Sequence, residues 1–138
     1  MLIAVSSVQF AAGVVGMGVA VKRRYPYDFL MLHGKAERVA RDTVLMGSAF
    51  SAPISMLGAQ AWATLWLLRS PDNGVPARVL GGLGAAMVPG YLGEARVRAR
   101  LSRAGRRRGE TPLVVAGLLL AGVMAALGLG PRRSVHHA

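Results

Sequence analysis

His33 and Glu37 stand four residues apart in "YPYDFLMLHGKAERVARD", residues 25–42, where this chain concentrates its chemically capable side chains. On a helix that spacing puts an imidazole and a carboxylate on one face. Such a pair can pass protons as general base and acid, or supply half of a metal site. Asp28, in the same stretch, and Glu94, farther along, complete the set of candidate catalytic residues, with Tyr27 and Asp42 nearby. A metal site normally needs three or four ligands, and no second histidine-bearing element of this type exists, so no metal is expected. The competing reading is a connector. Glu37 and Arg41, like Arg38 and Asp42, are spaced for helical ion pairs contributing a few tenths of a kcal/mol, roughly, each. "FLML", residues 29–32, suits a membrane interface and sets His33 at the water boundary. The connector reading is preferred, and no catalytic residue is assigned.

Other chemistry is narrowed by what the chain lacks. It has no cysteine, which excludes disulfides, thiolate metal sites and thiol catalysis. Its other histidines, His136 and His137, lie in the tail, so axial haem ligands inside helices are missing and no cofactor is expected. No apolar run carries Asp, Glu, Lys or His at its centre, which argues against proton-coupled carriage.

The elements that must hold these residues are four apolar runs, at 2–21, 43–68, 75–93 and 113–130. A helix of about 20 apolar residues crosses a hydrocarbon core. The chain has 138 residues, 53% hydrophobic, with 18 glycines, 6% aromatics and a mean hydropathy of +0.41. Few rings and many glycines make a poor water-soluble core but suit helices packed closely in a membrane. The expected fold is therefore all-α: one integral membrane domain over residues 1–138, a four-helix bundle of two helical hairpins. The third run is the weakest, since it contains Arg78 and two prolines, and kinks are expected at Pro53 and Pro89.

Charge orients the bundle. The net charge is +11, with six of the 17 Lys and Arg in loop 22–42 and seven in loop 94–112. Cations bracket the apolar runs instead of lining a soluble face, so a membrane is expected and nucleic acid is not. Both long loops are expected in the cytoplasm and both termini outside, in a bacterial-type inner membrane. "KRR" follows the first run and no cation precedes it, the reverse of a cleaved signal peptide. "EARVRARLSRAGRRR" is expected to continue the third helix as a basic amphipathic segment. Its Arg96, Arg100, Arg103 and Arg107, with Lys22, Arg23 and Arg24, are the expected contacts for anionic headgroups or phosphate, at about 1 kcal/mol per cation.

Small residues recur every fourth position in the second run, at Gly47, Ser51, Ser55, Ala59 and Ala63, and mark an expected helix-packing face. Similar rows are Ala12-Gly16-Ala20, Gly82-Ala86-Gly90 and Gly122-Ala126-Gly130. Gln9 and Gln60 are the largest uncharged polar side chains inside the first two runs and are expected to bond neighbouring helices. The expected partners are the anionic bilayer and another membrane protein or a second copy. The leading expectation for function is a non-catalytic structural, assembly or regulatory component of a membrane complex. The alternatives are a small enzyme acting on a lipid or isoprenoid phosphate at the cytoplasmic face, and a passive or exchange transporter of an apolar solute.

Overall fold

A computed structural model describes residues 1–23, 28–29, 32–33, 52–102 and 110–131. In chain order these form α1 (Leu2–Lys22), the short strands β1 (Asp28–Phe29) and β2 (Leu32–His33), α2 (Ile54–Arg69), α3 (Gly74–Gly93), α4 (Ala95–Leu101) and α5 (Glu110–Leu129). The fold is helical, and among the described residues the sole sheet is the antiparallel ladder of β1 and β2, pairing Asp28 with His33 and Phe29 with Leu32.

The helix limits follow local chemistry. Pro53 is the N-cap of α2, with φ −52° and ψ 147°, and its carbonyl accepts from Met56 and Leu57. A proline has no N–H to lose there and its ring admits no helix on its N-terminal side without cost. Within the expected helix over 43–68, the described part is a 16-residue helix that starts after Pro53; residues 43–51 lie outside the described residues. The turn "RSPDNG" delivers Asn73 as N-cap of α3, its side chain accepting from the Val75 amide at 2.9 Å. α3 runs on through Pro89 to Gly93. It ends because Glu94 is extended, and Arg98 Nη1 turns back to donate to the Leu92 and Gly93 carbonyls at 3.0 and 2.6 Å. The basic segment is therefore a separate seven-residue helix, α4, instead of an extension of α3. α5 begins three residues before the expected 113, at Glu110, with Pro112 tolerated in its first turn.

α1, α2, α3 and α5 pack in a closed circuit: α1 on α2, α2 on α3, α3 on α5 and α5 back on α1. The inward positions of α1 are Ser6, Gln9, Gly13, Gly16 and Ala20, alternating steps of three and four residues. Those of α5, from Val114 through Gly117, Ala121 and Met124 to Gly128, follow the same period. α3 and α5 meet most closely. A Cβ on Gly128 would stand 2.5 Å from the Ala77 carbonyl and the Gly81 backbone, and one on Gly84 would stand 2.6 Å from the Ala121 carbonyl. Both helices reach this distance because neither has a side chain at the crossing.

This contact face differs from the expected rows. Gly82, Ala86 and Gly90 face outward, and nothing lies within 4 Å of a Cβ on Gly82, Gly90 or Gly122. A step of four residues turns a helix about 40° past a full turn, so a strict four-residue row drifts off any contact face. The same drift crosses α2: Ser55 is exposed, Ala59 half-buried and Ala63 fully buried. Gly47 and Ser51 lie outside the described residues.

Outside the circuit, the exposed side chains include Val8, Val15, Trp62, Leu65, Leu119 and Leu129. Inside it are Leu57, Leu67, Leu80, Met87, Val114 and Met124, with glycines, alanines, Ser6, Gln9, Gln60 and Thr64 among them. α1 and α5 are long and apolar enough to cross a membrane, with mean hydropathies of 1.8 and 2.3, and only 22% and 28% of those windows are buried.

Candidate functional sites: a polar layer and an ionic end

Two polar groupings occupy different levels of the molecule. The first is a layer between the four long helices. Ser6 Oγ and Thr64 Oγ1 are hydrogen-bonded at 2.7 Å, joining α1 to α2. Thr64 also lies 2.7 Å from the Gln60 carbonyl one turn earlier, where its hydroxyl donates. Gln60 Nε2 donates to the Ser6 carbonyl at 2.8 Å and approaches Ser6 Oγ at 3.3 Å and Met124 Sδ of α5 at 3.8 Å. Gln9 Nε2 approaches Met87 Sδ of α3 at 3.6 Å, and the Gln9 side chain also faces the Tyr91 hydroxyl. Tyr91 is buried against α5, where Gly117 leaves room for the phenol: a Cβ there would meet its oxygen at 2.7 Å. The Tyr91 ring turns inward. The amide oxygens Gln9 Oε1 and Gln60 Oε1 have no hydrogen-bond partner.

The second grouping lies at the end where α1 stops and α5 starts. Glu110, in the first turn of α5, is 3% exposed and is held by two arginines. Arg23, just past α1, binds Oε1, and Arg100 of α4 binds Oε2 through Nε at 2.6 Å. The carboxylate also sits where the α5 dipole favours negative charge. Through this one side chain α1, α4 and α5 are tied together. Thr111 Oγ1, 3.5 Å from the Arg100 carbonyl, adds a weaker link. Glu94 is 5% exposed at the junction of α3 and α4. The β1 strand lies beside α4, so the ladder belongs to this end as well.

The structure distributes the sequence candidates unevenly. Asp28 and His33 are backbone partners across the ladder. His33 is therefore in a strand and not on a helix. Glu37, Arg24, Arg103 and Arg107 lie outside the described residues. Lys22 is exposed at the end of α1 and Arg96 belongs to α4. Arg23 and Arg100 are engaged by Glu110, while Glu94 is buried. Glu110 itself was missed, since the sequence reading left it in a loop. Its signal was an acidic residue two positions before a proline at the start of an apolar run, which is helix-entry chemistry. No group of three His, Asp or Glu able to hold a metal occurs among the described residues.

No family model, curated protein or solved structure matches the chain.

Proposed function

We propose that this is a small multi-pass membrane protein acting as a non-catalytic structural, assembly or regulatory component of a membrane complex. The observation that carries this is a set of buried polar side chains beneath an apolar exterior. Val8, Val15, Trp62, Leu65, Leu119 and Leu129 are exposed, while Ser6, Gln9, Gln60 and Thr64 are buried beside Leu57, Leu80, Val114 and Met124. In water that arrangement wastes apolar surface, whereas in lipid the helices gain by close contact and interhelical hydrogen bonds. On this reading α1, α2, α3 and α5 are the four spans, with both termini outside and the ionic end at the cytoplasmic face. The non-catalytic part rests on how the charged groups are used: Glu110 is engaged by Arg23 and Arg100, and Arg98 closes α3. The remaining arginines and Lys22 meet anionic headgroups.

The test is single-cysteine labelling, which starts from a background free of cysteine. Asp72→Cys is expected to react with an impermeant maleimide in intact cells, and Gly105→Cys only after lysis. Labelling of Gly105→Cys from outside overturns the orientation.

A second reading is an enzyme acting on a lipid or isoprenoid phosphate at the same face. It is favoured by Glu94 and Glu110, two buried carboxylates flanking an arginine-bearing helix beside the strand that carries Asp28. In a strain whose phenotype depends on this protein, Glu94→Gln and His33→Ala are expected to restore it fully. Loss of function in either variant at normal membrane levels favours the enzyme.

A further inference from the structure

Gln9 and Gln60 are the only glutamines in the chain, and they are 2% and 0% exposed in the same layer. Each directs its amide nitrogen at protein groups and leaves its oxygen bare. The orientation of Gln60 is fixed, because only an N–H can face the Ser6 carbonyl at 2.8 Å. That of Gln9 follows from Met87 Sδ, which accepts a hydrogen bond and cannot donate one. Rotating either amide to hide its oxygen would therefore break a contact already made. A buried amide oxygen without a donor is costly, and folded proteins rarely tolerate one. Here two occur within one layer: Ser6, which Gln60 binds, lies a single turn of α1 from Gln9.

We infer that Gln9 Oε1 and Gln60 Oε1 together form a binding site for one water molecule at the crossing of the four long helices. Water is the smallest donor able to serve two acceptors at once, and buried waters typically make two to four hydrogen bonds of this kind, about three on average. The lining suits it. Met87 and Met124 provide soft, adaptable walls, and the Ser6, Thr64 and Tyr91 oxygens lie in the same layer. The site would join α1 to α2 through solvent where direct bonds already join them through Ser6 and Thr64. It would also keep a polar centre hydrated inside a shell of aliphatic side chains.

The experiment uses full-length protein in a perdeuterated phosphocholine detergent without hydroxyl groups, labelled with ¹⁵N at the glutamine side chains. Two amide groups then report, one for each residue. Both are expected to show rotating-frame cross-peaks to water with the sign of dipolar contact. Those peaks persist in Ser6→Ala/Thr64→Val/Tyr91→Phe, which removes the hydroxyls of the layer able to relay magnetisation from bulk water. In Gln9→Met the Gln60 cross-peak is lost while the Gln60 amide keeps its native chemical shift. Absence of water cross-peaks in the native protein overturns the site, as does their disappearance in Ser6→Ala/Thr64→Val/Tyr91→Phe. A full-strength Gln60 peak in Gln9→Met rules out a shared molecule. If Gln9→Met fails to fold, Gln60→Met read at the Gln9 amide makes the same distinction.

Discussion

The mid-bundle layer and the ionic end perform the same task with different chemistry. Both tie helices that small residues have brought close. In the layer, neutral groups make weak bonds, and most of the contacts join two helices. At the end, one carboxylate gathers two guanidinium groups from separate elements, and Arg23 remains half exposed. The difference lies in what each can survive losing. Removing one neutral partner costs about one hydrogen bond, whereas removing a buried charge strands its counter-charges at about 3–5 kcal/mol.

The sharpest test of that contrast is Glu110→Ala. It leaves Arg100, 12% exposed, without its carboxylate and should destabilise the protein by about 3–5 kcal/mol. Arg23 contributes less because solvent screens it. Denaturation in mild detergent, followed by circular dichroism, measures this. A loss under about 1 kcal/mol, no more than a surface pair is worth, would mean the ionic end is dispensable.

Packing comes next. Ala63→Leu, at a fully buried position of α2, should cost about 1–3 kcal/mol. Ser55→Leu, two four-residue steps earlier and exposed, should leave the melting midpoint close to that of the native protein. Equal effects would show that the whole row is buried and the drift argument wrong.

Gln60→Leu removes the bonds to Ser6 and should cost about 1–2 kcal/mol, near the range for one lost buried partner. A more stable variant would mean that the amide is a net burden on the fold. Smallest is Ser6→Ala. Its hydroxyl bond to Thr64 is an interhelical polar contact of the kind worth about 0.6 kcal/mol in membranes. A loss as large as that of Glu110→Ala would erase the distinction between the two regions.

Much of the architecture was legible in the residues. α1, α3 and α5 lie within about three residues of their apolar runs, because hydropathy and terminal charge are local properties. Pro53 was visible too, and it stands as the N-cap of α2. The prolines at 53 and 112 show the same rule, for each is admitted only at or just inside a helix start. The packing face was harder to see. Counting by fours selects Gly82 and Gly122, while the true crossing uses Gly81, Gly84 and Gly128, because contact follows the 3.6-residue turn.

Taken alone, the sequence determined the helical class, the apolar lengths, the cationic loops and the exclusion of thiol chemistry. Each depends on composition or on neighbours within a few positions. Tertiary structure decided the rest. Glu110 was buried by arginines 87 and 10 residues away along the chain, and Gln60 found Ser6 across 54 residues. His33 was paired with Asp28 across a two-stranded ladder. Such pairings are set by which helix faces meet, and that depends on the packing of the four long helices together, which no single stretch encodes.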